Sequence, residues 1–196
     1  MSEQNEILEN IEENIIEQTA KKDFKEFLSD YIYLAGIAGS ILLLDQWTKT
    51  LVRTSLTFGD SWMPLEWLAP YLRIVHWRNT GAAFGIFQQG SVLFTILAIV
   101  VTLVIIYYFP QVPKKEWPLR IAMSMQLGGA MGNLVDRLQL GHVTDFIAVG
   151  NFPVFNVADS SITVGAVILF VGIWILERQE KLKQKQNELE GTTISE

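Results

Sequence analysis

The sequence predicts an all-α membrane protein with four transmembrane helices and a small extracytoplasmic β element. Three observations lead there. Of 196 residues, 49% are hydrophobic and only 18% charged, with a mean hydropathy of +0.26; an ordinary soluble domain carries about 25% charged residues. Four stretches approach the roughly 20 apolar residues that a helix needs to cross a bilayer core of about 30 Å. The charge is also partitioned: residues 1–30 carry net −6, residues 177–196 net −1, and the 146 residues between them only +1. This divides the chain into an acidic tail (1–30), an apolar body (31–176) and a charged tail (177–196).

The first span runs from about Tyr31 to Val52 and holds Asp45 and Lys49 near its far end. The second, Ser91 to Phe109, has no charged residue. The third runs from about Leu119 to Leu140, with Arg120 at one end and Asp136 and Arg137 at the other. The fourth runs from about Val157 to Leu176, with Asp159 near its start. Between the first two spans, Pro64 and Pro70 break the chain, and Leu72 to Arg78 is a β-branched and aromatic run that reads as a strand. Gly81-Ala82-Ala83-Phe84-Gly85 follows, a stretch where backbone can approach a partner closely. The N-terminal 30 residues lack the early apolar core of a cleavable leader. They read as a solvated tail, with Ile7, Leu8, Ile11 and Ile15 spaced for a short amphipathic helix. The C-terminal tail from Arg178 is expected to fray.

Ten Lys and Arg residues fall beside one set of span ends and four beside the other. By the positive-inside rule both termini are cytoplasmic. The absence of Cys excludes disulfides, thiolate metal sites and a cysteine nucleophile. There is no H-E-x-x-H, P-loop or G-x-S-x-G. No basic stripe suggests nucleic acid. No metal or cofactor is expected. His76 and His142 read as interfacial residues rather than ligands.

Ionisable groups inside a membrane are costly and mark candidate sites. Asp45, Lys49, Asp136, Arg137, Asp145 and Asp159 all fall at the extracytoplasmic span ends, joined by Asn79, Asn133 and Asn156. Asp45 and Lys49 are spaced i, i+4, which suits a structural ion pair with Lys49 snorkelling to the interface. The glycines of Gly128-Gly129-Ala130-Met131-Gly132 suit close helix packing. Asn133 and Arg137, one turn apart, form a polar clamp or hold a substrate carbonyl. Asn156 suits an N-cap with Asp159 at N3, close to a capping box; Asp145 alone can be an interfacial loop carboxylate. If the third span ends and the fourth begins on one face, these two carboxylates meet. They then share a proton, so that one activates water while the other protonates a carbonyl.

Five stretches carry a family resemblance: Asp45-Gln46-Trp47-Thr48-Lys49, Asn79-Thr80-Gly81-Ala82-Ala83-Phe84, Gly128 through Arg137, Val143-Thr144-Asp145-Phe146 and Phe155-Asn156-Val157-Ala158-Asp159. In this order, over about residues 31–176, they resemble lipoprotein signal peptidase (signal peptidase II). The resemblance implies a membrane aspartic endopeptidase that cuts diacylglyceryl-modified prolipoproteins before the lipidated cysteine, needs no metal and is inhibited by globomycin. It places the catalytic pair on Asp145 and Asp159, and supporting residues on Asp45, Lys49, Asn79, Asn133, Asp136, Arg137 and Asn156. Two departures stand out: the long acidic N-terminal tail, and only 13 residues between Asp145 and Asp159. The alternatives from other classes are a small transporter, whose polar layer would relay ions, and a non-catalytic scaffold.

Overall fold

The computed structural model describes residues 2–81 and 90–193, and the side chains of 24–81 and 90–184. The stretch Ala82 to Gly85 therefore lies outside the described residues, as do the side chains of Ile7, Leu8, Ile11 and Ile15. The elements run α1 (Ser2–Ser55), β1 (Ser61–Trp62), β2 (Leu72–Asn79), α2 (Ser91–Tyr108), α3 (Trp117–Leu140), β3 (Val143–Val149) and α4 (Val157–Thr193).

Helix α1 is one helix of 54 residues. It starts well before Tyr31, because residues 2–35 contain neither Gly nor Pro and are rich in Glu, Lys, Gln, Leu and Ile. An established helix propagates cheaply through such residues. The same reasoning corrects the C-terminal tail. Instead of fraying at Arg178, α4 continues through its Glu, Lys and Gln residues to Thr193. Helix α2 ends where Phe109–Gln111, containing Pro110, tightens into a 3-10 turn. Helix α3 carries Pro118 in its first turn and stops at Gly141, whose φ of +76° is a left-handed cap.

Among the described residues, three helices are long and apolar enough to cross a membrane: residues 24–55, 91–111 and 157–184. Helix α3 is not as apolar because it is the interior one. It packs against α1, α2 and α4, and its buried residues include Gly128, Gly129, Gly132, Ser124, Asn133 and Asp136. Helix α2 buries only Ile105, and its Val92 and Leu103 are 71% and 61% exposed. Such a surface suits hydrocarbon rather than water.

The glycines of α3 set its distances to its neighbours. A Cβ on Gly128 would lie 2.7 Å from the Ala38 carbonyl oxygen of α1. One on Gly129 would lie 2.5 Å from the Ala158 carbonyl oxygen of α4. Both meet backbone, which cannot rotate away. Gly129→Ala is thus expected to cost about 1–3 kcal/mol through overpacking. Gly39→Ala on α1, where nothing lies within 4 Å, should be neutral or slightly stabilising. Thermal unfolding of the two variants in detergent checks the contrast.

The sheet has the order β1-β2-β3 and is antiparallel throughout. Strand β2 spans Leu72–Asn79, as the β-branched run predicts. Strand β3 was not expected. It places Asp145 opposite Trp77, and Asn79 opposite Val143, so Asp145 is a strand residue and not an interfacial loop carboxylate. The register slips between Ile74 and Trp77, which bends β2 as it approaches Asp145.

At the bundle end away from the sheet, Leu34, Ala38, Ile105, Phe109 and Leu127 form an apolar cluster. Arg120 closes it. Its guanidinium donates to Asp30 at 2.6 Å and to the Val112 carbonyl at 2.8 Å, and lies 4.3 Å from the Phe109 ring centre.

Candidate active site

The opposite end of the bundle is polar and built from all the elements that meet there. Asp45 and Lys49 of α1 pair at 2.8 Å, and both side chains are fully buried. Lys49 does not snorkel. It turns inward and donates to Asn133 Oδ1 at 2.9 Å, with Asp136 Oδ2 at 3.4 Å. The other Asp45 oxygen accepts the Ala158 N–H at 2.9 Å, so a carboxylate from α1 sits on an unpaired donor at the start of α4. This is a favourable place for negative charge. Gly132 makes room for it, since a Cβ there would be 2.6 Å from Asp45 Oδ2.

Asp136 is also enclosed. Its Oδ2 accepts the Thr144 N–H at 2.8 Å, and its Oδ1 accepts Gln46 Nε2 at 3.1 Å. Arg53 places Nη1 at 3.4 Å from the same Oδ1 and at 3.1 Å from Thr144 Oγ1. The carboxylate thus links α1 and α3 to the start of β3.

Asp145 and Asp159 meet through Asn156. Asn156 Nδ2 donates to Asp145 Oδ1 at 2.7 Å, while its Oδ1 accepts the Asp159 N–H at 2.9 Å. The Asn156 N–H in turn donates to Asp159 Oδ2 at 3.2 Å. The capping box expected at the start of α4 is therefore present, and it leaves Asp159 Oδ1 free to accept Asn133 Nδ2 at 2.7 Å. Asn79 completes the set by donating Nδ2 to Asp145 Oδ2 at 2.9 Å. Its own Oδ1 accepts the Gly81 N–H at 3.0 Å. The Asp145 and Asp159 carboxylates are thus held by amide donors, which fix their orientation without neutralising them.

The two carboxylates differ in setting. Asp145 is 1% exposed, whereas Asp159 is half-buried. Burial pushes the Asp145 carboxyl up to about 7, and the Asp159 charge adds to that; the hydrogen bonds from Asn79 and Asn156 act in the opposite direction. Asp159 lines a cavity of about 470 Å³ together with Asn79, Arg137, Phe94, Phe152 and Phe155. The guanidinium of Arg137 lies 5.5 Å from the Phe94 ring centre and donates to the Asn133 carbonyl at 3.5 Å. The cavity is mostly apolar with a few convergent polar groups, as small-molecule and peptide sites are.

All nine residues singled out in the sequence gather at this end of the bundle. The two histidines stay apart from it: His76 Nδ1 bonds the Leu56 carbonyl and His142 Nδ1 the Leu140 carbonyl, each at 2.9 Å. Arg53, outside the five motifs, also belongs to the cluster, as do Gln46 and Thr144 from within them. A signal for Arg53 was present, since Asp45, Lys49 and Arg53 follow one another at i, i+4, i+8 on one face of α1.

Residues 37–175 match the sequence profile of the family described as Signal peptidase (SPase) II. The chain is 36% identical over 171 residues to the lipoprotein signal peptidase of Acinetobacter baumannii, covering 82% of this chain and 93% of that protein. It is 41% identical over 155 residues to that of Halalkalibacterium halodurans, covering 77% of this chain and 96% of the relative. A solved bacterial membrane enzyme superposes with a TM-score of 0.67 at 32% identity, covering 72% of this chain and 87% of its own. A match over most of the chain, in sequence and in fold, makes this protein a member of the signal peptidase II family of aspartic peptidases.

Proposed function

We propose that this chain removes signal peptides from diacylglyceryl-modified prolipoproteins, cutting before the lipidated cysteine, with Asp145 and Asp159 as its catalytic pair. The observation that carries the reading is the bridge through Asn156: its side-chain amide holds the fully buried Asp145 carboxylate and its backbone N–H the half-buried Asp159 carboxylate. Family membership and the relatives' shared name support the substrate class.

The chemistry follows from the difference between the two acids. Asp145, buried and beside another carboxylate, retains the proton that the pair shares. Asp159 serves as the base, with Asn133 and the Asn156 N–H donating to its two oxygens. A water between them loses its proton to Asp159 as it attacks the peptide carbonyl. Asp145 donates to the developing oxyanion. Asn79 and Asn156 hold Asp145 in place, and Arg137 and Asn133 orient the substrate at the cavity wall. Asp45, Lys49 and Asp136 anchor the ends of α1, α3 and α4 beneath it.

The membrane arrangement belongs to the same reading. Helix α3, 24 residues long, makes the fourth span, shielded by the other three. Lys and Arg asymmetry supports cytoplasmic termini and an extracytoplasmic site in a bacterial cell membrane. Residues 31–176 form the peptidase domain, flanked by cytoplasmic tails at 1–30 and 177–196. The cavity opens laterally, so the diacylglyceryl chains remain in hydrocarbon while the peptide passes beneath the sheet.

The test is cleavage of a diacylglyceryl-modified prolipoprotein by the purified full chain in detergent. Cleavage that persists in EDTA and stops with globomycin is expected; no cleavage by folded protein would refute the reading. The pH profile adds a second check. Turnover needs Asp145 protonated, so kcat/KM should be high below pH 7 and fall as pH rises, with an apparent pKa near 7 that belongs to the pair. Stability has the same sign. The folded state binds this proton more tightly than the unfolded chain, so stability should decline as pH rises from about 4 to 7.

A further inference from the structure

We infer that Arg53 is a positioning residue for Asp145. It ties the C-terminal end of α1 to Thr144, the neighbour of Asp145 on β3, and supplies the second positive charge that balances Asp45 and Asp136. The inference rests on the functional reading above and extends it to a residue outside the five motifs.

Thr144 is fully buried and gripped at three atoms. Its N–H donates to Asp136 Oδ2 at 2.8 Å, its carbonyl faces Asn156 Nδ2 at 3.4 Å, and its Oγ1 accepts Arg53 Nη1 at 3.1 Å. The first two contacts fix the peptide planes on either side, and the third fixes the side chain. Together they set the Cα position from which Asp145 projects. Arg53 is itself immobilised from its other nitrogen, because Nη2 donates to Thr50 Oγ1 at 2.9 Å. A planar guanidinium held at both nitrogens has no remaining freedom. Its side chain is 24% exposed, which makes it the wet edge of an otherwise buried network.

The charge count gives Arg53 a second effect. The charges of Asp159, Lys49 and Arg137 act on Asp145 directly; Arg53 and Asp136 stand one residue away, at Thr144, and Arg78 on β2 is turned onto the Phe58 ring at 4.8 Å. Lys49 alone cannot balance both Asp45 and Asp136. Removing Arg53 therefore makes the surroundings of Asp145 more negative, and the pair should hold its proton to higher pH.

The experiment is steady-state cleavage of the lipid-modified substrate across pH by the wild type, Arg53→Gln, Arg53→Lys, Thr144→Val and the Arg53→Gln/Thr144→Val double variant. Arg53→Gln should lower kcat about tenfold with KM within about twofold, and move the alkaline limb up by roughly half a pH unit. Arg53→Lys keeps the charge but not the fork, so it should leave the limb in place while recovering only part of kcat. Thr144→Val should reproduce the kcat loss without moving the limb, and the double variant should be no worse than Arg53→Gln, as coupled sites require. Wild-type kcat and pH limb in Arg53→Gln would overturn the inference, as would losses that multiply in the double variant. If Arg53→Gln fails to fold, Thr144→Val decides: wild-type kcat there overturns the proposal. A folded wild type that does not cleave refutes the functional reading itself, whereas an active wild type with an indifferent Arg53 refutes only this role.

Discussion

Asp145→Asn and Asp159→Asn are each expected to lower turnover by roughly a thousandfold or more, because each removes one half of a proton exchange that needs both acids. The fold should survive. In Asp145→Asn the amide can keep an acceptor toward Asn79 or Asn156 but must turn its own donor against the other. One hydrogen bond is lost, a cost of about 1 kcal/mol. In Asp159→Asn the side-chain oxygen can still accept from the Asn156 N–H or from Asn133. Near-normal melting together with absent cleavage, measured on the same preparation, would identify the pair as chemical rather than structural. Substantial turnover in either variant would remove that residue from the pair. Asp136→Asn is the informative control: Asp136 holds Thr144 and Lys49 but does not reach the cavity, so its loss should weaken the protein before it silences it.

Lys49→Met is expected to be the most destabilising change at this end of the bundle. It strands Asp45, fully buried, without its cation, and leaves Asp136, 1% exposed, with Arg53 alone. Removing one partner of a buried pair costs about 3–5 kcal/mol, since the remaining charge stays desolvated. The damage should also reach Asp159, because Asp45 holds the first turn of α4 through the Ala158 N–H. A lower unfolding temperature in detergent and faster proteolysis would record it. The Asp45→Asn/Lys49→Met double variant should recover part of the loss, because it removes the stranded charge. A Lys49→Met protein as stable as the wild type would mean that water reaches Asp45, and that the ion pair is not structural.

Much of this molecule is legible from residue order. The apolar runs place the helices, with α2 bounded within a residue of its expected end at Phe109. The β-branched run at Leu72 to Arg78 places β2. Asn156 and Asp159 announce the capping box by spacing alone. Two kinds of feature did not show. The helices outrun their apolar cores at both ends of the chain, because hydropathy marks where a bilayer sits and not where helix propensity runs out. Strand β3 was hidden because a seven-residue strand reveals itself only against its partner, and its pairing with β2 closes across residues 80–142, 63 residues of intervening chain.

The sequence by itself determined the class of the protein: an apolar bundle, charges confined to one depth, and a set of Asp, Asn, Lys and Arg residues that no lipid-facing surface would tolerate. What only the tertiary structure decided is how each of those residues is used. Lys49 reads equally well as a snorkelling cation or a buried one until Asn133 and Asp136 arrive from α3. Asp145 reads as a surface carboxylate until β3 buries it beside Asn156. Asp159 reads as a cap and turns out to be both a cap and a half-buried carboxylate on the cavity wall. The physical reason is common to all three. A carboxylate or ammonium in a poorly solvated site takes its role from the partners within about 3 Å, and those partners come from other helices and strands, at sequence distances that no local pattern records.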